Sequence, residues 1–302
     1  MNYYFAPLEG ITDYIYRNAF AKYYGGIDKY YTPFLSPNQT KSFQTKELKN
    51  INPENNAGLH VVPQLLTRVS EHFIWACEEI RRLGYGEINL NLGCPSGTVV
   101  SKRKGSGLLY YPKELDSFLY DIYEKYPGDD LKISIKTRLG KNDPEEFYDI
   151  VEIYKKYPIY ELTVHPRIQK DFYREEVRME YFDYAMRELS CPVVYNGEIR
   201  SKEDAGACAE KYPNLSGIMI GRGFIMRPWM LGEYDRETLL GFMNELAENY
   251  SKVLFDEKTV MFRLKEIGAL LSEGITEDEK ERKALKKCQR VKEYMGILER
   301  IC

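Results

Sequence analysis

The 302-residue sequence predicts an α/β fold, namely a (β/α)8 TIM barrel followed by a small all-helical domain. Short apolar segments alternate with stretches of helical periodicity as far as about residue 234, a pattern typical of a parallel sheet. Eight such strands are the number that closes into a barrel. A doubly wound open sheet is the alternative, but the first strand runs into Ala6-Pro7-Leu8-Glu9-Gly10 and not into a glycine-rich dinucleotide turn.

The strands are assigned to the short apolar segments, and the helices to the amphipathic stretches between them. The strands are expected at 3–6, 29–32, 61–65, 87–92, 132–136, 161–165, 193–196 and 217–221. The helices are expected at 13–24, 70–83, 112–125, 144–157, 181–188 and 201–211. Ser70, Pro144 and Ser201 stand where three of these helices should begin. The segment 33–58 is long and polar, so its pattern defines a helix poorly.

The alternation of strands and helices stops at about Tyr234. Three helices without an intervening strand are expected after it, at 236–251, 256–272 and 277–300. We place the boundary within 228–234, which gives a catalytic barrel domain at 1–233 and a helical domain at 234–302.

Composition restricts the class of protein. Hydrophobic residues make up 43% and charged residues 29%, and no apolar run approaches the ~20 residues that cross a bilayer. The N-terminus lacks a basic stretch followed by an apolar one, so we expect a cytoplasmic protein without a signal peptide. The six cysteines form no CxxC, and with three histidines they predict no metal site. The net charge of −3 gives no global sign of nucleic-acid binding, so any nucleic acid would have to bind at local basic patches.

Polar or reactive residues end or follow nearly every predicted strand. The carboxyl ends of barrel strands converge on one mouth, where barrel active sites lie, so we expect these side chains to lie close together. They are Gln64, Asn89, Asn91, Cys94, Lys136, Arg138, His165, Arg167, Asn196, Gly197, Gly221, Arg222 and Gly223.

The last two strand ends suggest a phosphate site. Asn196-Gly197-Glu198 and Gly221-Arg222-Gly223 place glycines where backbone N–H groups can approach an anion, and a short helix then opens at Phe224. The alternative is that Gly221 and Gly223 only permit a tight turn.

Lys136, Cys94 and His165 are the chemically versatile residues of this set. Lys136 should point into the mouth, where its ammonium would stabilise a reduced flavin or pair with Glu9 or Glu198. Cys94 lies in a turn-rich loop, and a thiol of ordinary pKa (~8.5) is protonated at neutral pH and can donate a proton. A structural role remains the alternative for both Cys94 and His165.

As a set, these residues resemble the tRNA-dihydrouridine synthases. The resemblance spans residues 3–229 in order, whereas the tail is more loosely similar to the family's C-terminal RNA-binding domain. The matching segments are Ala6-Pro7-Leu8-Glu9-Gly10-Ile11-Thr12-Asp13, Gln64-Leu65, Asn89-Leu90-Asn91-Leu92-Gly93-Cys94-Pro95, Lys104-Gly105-Ser106-Gly107, Lys136-Thr137-Arg138, His165-Pro166-Arg167, Asn196-Gly197-Glu198-Ile199 and Gly221-Arg222-Gly223 through Pro228-Trp229.

The resemblance implies an FMN cofactor, NADPH as reductant, and reduction of a uridine in RNA, most naturally tRNA, to 5,6-dihydrouridine. Hydride would pass from flavin N5 to uracil C6, and Cys94 would give the proton to C5. The implied FMN contacts are Pro7, Leu8, Glu9, Gln64, Lys136, His165, Asn196, Gly197, Glu198, Gly221 and Arg222. Two positions depart from the family, which more often has Met at the position of Leu8 and Asp at that of Glu198. Both changes preserve the chemical type and leave the details of flavin binding open.

RNA contacts are expected at the mouth and in the tail. Asn91 and Arg167 are candidates for the base edge, and Lys102, Arg103, Lys104 and Arg138 for phosphates. In the tail, Lys283, Lys286, Lys287 and Arg290 are expected on one face of the helix at 277–300. The alternative for both basic clusters is an ordinary solvated surface.

Two other functions are compatible with parts of this pattern. One is an FMN barrel like dihydroorotate dehydrogenase, which acts on a free pyrimidine. An enzyme with so small a substrate would not need the helical tail to bind it. The other is a non-catalytic RNA-binding barrel, which would have no need of Cys94, Lys136 and His165. We expect a monomer that binds RNA and does not associate with membranes.

Overall fold

The computed structural model describes residues 1–128 and 131–302, and its parallel sheet confirms the predicted barrel. Nine parallel strands form the sheet, in the order β3-β2-β1-β9-β8-β7-β6-β5-β4. The strands are β1 (Asn2–Phe5), β2 (Lys29–Tyr31), β3 (Val61–Val62), β4 (Gln64–Leu65), β5 (Glu87–Leu92), β6 (Lys132–Gly140), β7 (Leu162–Ile168), β8 (Val193–Tyr195) and β9 (Gly217–Ile220).

The third predicted strand is split in two by Pro63, which corrects the single strand expected at 61–65. Val61 pairs with Tyr30 of β2, and Gln64 pairs with Asn89 of β5. Pro63 has no N–H to donate, but its carbonyl still accepts a 2.9 Å hydrogen bond from the Asn89 N–H. Because one residue separates β3 from β4, the sheet returns to its starting point as an eight-stranded barrel.

Helices surround the barrel and form the C-terminal region. Within the described residues, none of them is long and apolar enough to cross a membrane. They are α1 (Tyr14–Tyr23), α2 (Thr45–Ile51), α3 (Ser70–Arg82), α4 (Gly97–Val100), α5 (Pro112–Lys125), α6 (Glu146–Tyr154), α7 (Met179–Glu188), α8 (Lys202–Lys211), α9 (Arg222–Met226), α10 (Arg236–Val253), α11 (Glu257–Ile275), α12 (Glu279–Lys287) and α13 (Val291–Ile301).

The predicted helix starts have different outcomes. Ser201 caps α8 as expected, because its Oγ accepts a 3.1 Å bond from the Asp204 N–H. Ser70 is the first residue of α3 and not its cap, and its hydroxyl donates to Asp121 at 2.7 Å. The helix expected from Pro144 begins at Glu146.

The two ends of the barrel differ in accessibility. At the N-terminal end, Lys29 is buried between Glu87 and Glu161, with Nζ–Oε distances of 2.9 and 3.2 Å. The hydroxyls of Tyr4 and Tyr31 also donate to Glu161, at 3.0 and 3.2 Å. This hydrogen-bonded ionic cluster fills the N-terminal end, so the polar residues at the C-terminal strand ends form the accessible mouth.

The C-terminal region contains four helices, because the helix expected at 277–300 breaks between Lys287 and Val291. The break allows the apolar sides of α12 and α13 to pack inward separately, burying Leu285 and Tyr294. The Tyr294 hydroxyl donates to the Leu264 carbonyl at 2.8 Å. Lys283, Lys286 and Lys287 therefore lie on α12, whereas Arg290 caps α13, and the single basic helix face expected for these four residues is wrong.

The C-terminal helices pack beside the barrel mouth. Phe242 of α10 meets the ring of Tyr16 in α1 edge-on, at 5.5 Å between centroids. Arg263 of α11 donates to the carbonyl of Gly10, in the loop that follows β1, at 2.6 Å. The helical region thus contacts one of the loops that form the rim of the mouth.

Candidate active site

A cavity with a volume of about 320 Å³ opens at the C-terminal end of the barrel. Its lining includes nine of the residues that the sequence predicted for this mouth. They are Pro7, Leu8, Glu9, Gln64, Asn91, Cys94, Lys136, Arg138 and His165. Lys136 and Arg138 lie two residues apart in β6, as His165 and Arg167 do in β7, and this spacing turns each pair to the same side of its strand.

A chain of buried amides lies beside the cavity. Asn91 donates to Gln64 Oε1 at 2.7 Å, and Gln64 donates to Asn89 Oδ1 at 2.8 Å. Asn89 in turn donates to the hydroxyl of Ser134 at 3.0 Å. Asn91 Oδ1 accepts the N–H groups of Gly93 and Cys94, at 3.0 and 2.9 Å. Asn91 therefore holds the start of the loop that carries Cys94.

Cys94 is half-buried in a loop that is fixed from both sides. Its carbonyl accepts the Ser106 hydroxyl at 2.8 Å. A Cβ on Gly105 would lie 2.9 Å from the same carbonyl, and the φ of +56° at Gly105 independently favours glycine. Burial raises the pKa of the Cys94 thiol, although the Ser96 N–H and the charges of Arg138 and Lys136 oppose the shift. The thiol is therefore protonated at neutral pH.

Lys136 brings an ionisable amine into the cavity. Burial and the nearby charge of Arg138 lower the pKa of Lys136 to about 7. Neither of the carboxylates considered as its partner pairs with it, because Glu9 lies 3.6 Å from Lys46 and Glu198 contacts arginines. In the described part of the chain, Lys136 forms no ion pair within 4.0 Å.

His165 is buried in its neutral form. Arg167 Nη1 donates to His165 Nε2 at 3.1 Å, and since arginine only donates, Nδ1 must carry the ring hydrogen. Burial and the charges of Arg138, Lys136 and Arg167 lower the pKa of His165 well below 6.5. Arg167 also pairs with Glu198 at 2.9 Å and donates to the Glu175 carbonyl at 2.6 Å. Its guanidinium is thus already bound by protein groups.

Arg138 connects three backbone segments around the mouth. It donates to the carbonyls of Gly93, Ile168 and Phe172 at 3.1, 2.8 and 2.7 Å, and it is buried. In this arrangement the guanidinium is hydrogen-bonded to protein carbonyls of the Cys94 loop and the loop after β7. The contact with RNA phosphates expected from the sequence stays a prediction.

The last two strand ends form a charged corner. Glu198 lies 2.8 Å from Arg222 and 2.6 Å from Arg200, and the positive charges of Arg222, Arg167 and Arg200 outweigh burial and lower its pKa. Asn196 is held by a 2.7 Å bond from its amide to the Met219 carbonyl.

Of the nearby glycines, Gly223 is required by packing, because a Cβ there would lie 2.3 Å from the Ile199 carbonyl. A Cβ on Gly221 would approach nothing closer than 3.4 Å.

The comparisons with known proteins determine the family. A family model described as dihydrouridine synthase matches residues 4–293. The chain belongs to the dihydrouridine synthase family. The resemblance inferred from the sequence motifs is thereby confirmed.

Curated relatives carry matching names. The chain is 32% identical to the tRNA-dihydrouridine(16) synthase of Pseudomonas syringae pv. tomato, over 74% of this chain and 71% of that protein. It is 27% identical to a probable tRNA-dihydrouridine synthase of Staphylococcus aureus, over 97% and 91% of the two chains. Among solved structures, morphinone reductase matches with a TM-score of 0.52 at 11% identity, over 78% of this chain and 88% of that one. An old yellow enzyme homologue from Zymomonas mobilis also matches with a TM-score of 0.52, at 11% identity over 75% and 86%. These structures share the fold.

In this family member, the loop after β7 contributes two aromatic residues that sequence reasoning missed. Phe172 and Tyr173 are exposed and line the mouth cavity. The Tyr173 ring lies 4.5 Å from the guanidinium carbon of Arg222 and 6.0 Å from the His165 ring centroid. The loop has no regular periodicity, and the exposed aromatics within it were the available signal.

The basic residues predicted to contact RNA are only partly available. Arg103 pairs with Glu114 at 2.6 Å, and Lys104 donates to the Ser36 hydroxyl at 3.0 Å. Lys102 is exposed and forms no ion pair with a described residue. The four tail cations are also exposed but do not line the mouth cavity. Among the described residues, no three His, Cys, Asp or Glu side chains gather as metal ligands.

Proposed function

We propose that this protein reduces the C5–C6 double bond of a uridine in tRNA to 5,6-dihydrouridine, with FMN as cofactor and NADPH as reductant. The observation that carries the proposal is the position of the Cys94 thiol in the same cavity as Lys136 and His165, in a chain of the dihydrouridine synthase family. The names of the curated relatives support tRNA as the substrate. A tRNA substrate would place the reaction in the cytoplasm.

The residues of the mouth fit FMN. Lys136 offers an ammonium without a carboxylate partner, which suits the negative charge of a reduced flavin ring. His165 Nδ1–H is a further donor, because Nε2 is held by Arg167. Arg222 and the glycine backbone at Gly221 would hold the phosphate, with Asn196, Gly197 and Glu198 forming the rest of that corner. Pro7, Leu8, Glu9 and Gln64 would complete the lining of the cofactor site.

Bound FMN would supply the hydride that uracil C6 receives. Cys94 would then give its proton to C5, because burial keeps the thiol protonated and the Asn91 and Ser106 contacts hold its loop. Arg138 and Arg167 would act through the groups they fix, since their guanidinium groups are bound within the protein.

The target uridine would have to leave its base stack. Its C5–C6 bond must come close to Cys94, which lies half-buried in the mouth cavity and not on the protein surface. Lys102 and the exposed cations Lys283, Lys286, Lys287 and Arg290 would neutralise phosphates of the surrounding RNA.

The test supplies the FMN-loaded protein and NADPH with an unmodified tRNA transcript, and in parallel reactions with free uridine and with orotate, which NADPH can reduce through the flavin. We expect dihydrouridine, measured by mass spectrometry of the digested RNA, and no reduction of free uridine or orotate. Failure to form dihydrouridine in the transcript while NADPH reduces the flavin would refute the proposal. Efficient reduction of orotate would favour the free-pyrimidine enzyme.

A further inference from the structure

A second cavity, with a volume of about 340 Å³, lies between the barrel mouth and the helical region. It shares Glu9, Pro33 and Phe34 with the mouth cavity, so the two cavities are immediate neighbours. Its remaining walls come from the loop after β1 and the start of α1, from α2, and from α10, α11 and the turn between them. We call it the rim cavity. Its volume lies at the lower end of the range of ~300–1,000 Å³ that is typical of small-ligand pockets.

Aromatic rings face this cavity from both structural regions. Phe255, in the turn between α10 and α11, is fully exposed at the edge of the cavity. Phe34 is half-buried and follows β2 on the barrel side. A single exposed phenylalanine needs no special explanation, but here it stands at a concave site that contains a second ring. A flat aromatic ligand could stack on such a surface.

Among the charged groups that line the rim cavity, one lysine is available to bind an anion. Lys49 of α2 is exposed and has no ion pair with any described residue. The carboxylates that line the cavity already form hydrogen bonds or ion pairs within the protein. Glu47 accepts the N–H groups of Ser36 and Gln44 at 3.0 and 2.7 Å. Asp13 accepts the Tyr250 hydroxyl at 3.1 Å, and Glu9 lies 3.6 Å from Lys46.

We propose that the rim cavity binds a nucleotide adjacent to the target uridine, stacking its base on Phe255 and placing its phosphate at Lys49. This proposal rests on the proposed function, because a uridine in the mouth is joined to its neighbours through phosphodiester bonds. The neighbouring nucleotide must leave the mouth across the rim, and the rim cavity shares a wall with the mouth. Aromatic stacking and lysine contacts are the usual means of holding a single-stranded nucleotide.

The decisive experiment measures the Kd of an unmodified tRNA transcript for the FMN-loaded protein at fixed salt, comparing Phe255→Ala with Phe262→Ala. Phe262 is also a largely exposed ring of the helical region, but it lies outside the rim cavity. We expect Phe255→Ala to raise the Kd by about 5- to 100-fold, the range that base stacking contributes, and Phe255→Trp to restore it. Phe262→Ala should bind like the parent.

A second arm tests the phosphate contact. Lys49→Ala should reduce the slope of log Kd against log salt by about 0.7–0.9, whereas Lys132→Ala at the opposite end of the barrel should not. Equal Kd values for Phe255→Ala and the parent, or equal losses in both phenylalanine variants, would overturn the proposal. Dihydrouridine formation is scored separately. If the parent protein forms no dihydrouridine, the proposed function is refuted. The Kd comparison independently tests whether the rim cavity binds a nucleotide.

Discussion

At the scale of single residues, the environment of the barrel mouth strongly lowers the pKa of Lys136. Its pKa falls from 10.5 to about 7, through burial and the charge of Arg138. The unfolded chain binds the proton more tightly, so this residue makes the free energy of unfolding rise with pH between those two values. A bound anion would reverse the effect by favouring the ammonium.

This shift predicts a pH dependence of flavin binding. Without an anion, Lys136 loses its proton as pH rises above about 7, so the affinity for reduced FMN, whose ring carries the negative charge, should fall by up to about tenfold per pH unit from there to about pH 9. Anaerobic titration of the flavin-free protein with reduced FMN, followed by absorbance, measures this affinity. Lys136→Gln should bind reduced FMN more weakly and lose the slope. A parent whose affinity stays constant across the range would show that Lys136 does not pair with the flavin.

The sequence located the reactive residues but not all of their contacts. Cys94, Lys136 and His165 could be assigned to one mouth because strand ends follow from the alternation of elements. The partners of Arg138 and Arg167 could not be predicted, since they include carbonyls of Phe172 and Glu175 in an irregular loop. Hydrogen bonds to such loops have no periodic signature.

At the scale of elements, the differences from prediction occur where tertiary packing overrides a local pattern. The apolar pattern at 61–65 predicted one strand, but Pro63 interrupts its pairing. The basic stretch at 277–300 predicted one helix, but burying both Leu285 and Tyr294 requires a turn after Lys287. Helical periodicity identified α10 and α11 correctly because each presents a continuous apolar side.

The contact between α11 and α9 predicts a position that is sensitive to volume. A Cβ on Gly274 would lie 1.9 Å from the Met226 carbonyl, so Gly274→Ala should push the helical region away from the barrel. We expect the free energy of unfolding, measured by urea denaturation, to fall by about 1–3 kcal/mol and tRNA affinity to fall with it. Gly296→Ala is the matched control, because its added methyl would meet no atom within 4 Å. Equal stability of the two variants would contradict this packing.

At the scale of the whole molecule, the architecture leaves one end of the barrel accessible. The cluster of Lys29, Glu87 and Glu161 fills the N-terminal end, and the helical region packs beside the other. The net charge of −3 means that phosphate binding depends on local cations and not on the overall field. On the proposed function, the helical region, which touches a mouth loop, would hold RNA while the mouth holds one base.

The most direct measurement is the single-turnover rate at which the protein, with its flavin reduced beforehand, forms dihydrouridine in a tRNA transcript. We expect Cys94→Ala to slow this rate by about 10²-fold or more, the usual contribution of a general acid, while NADPH reduces its flavin at the parent's rate. Cys191→Ala, which alters a thiol near the N-terminal end of β8, should match the parent in both steps. An unchanged rate of dihydrouridine formation in Cys94→Ala would contradict the assignment of Cys94 as the proton donor.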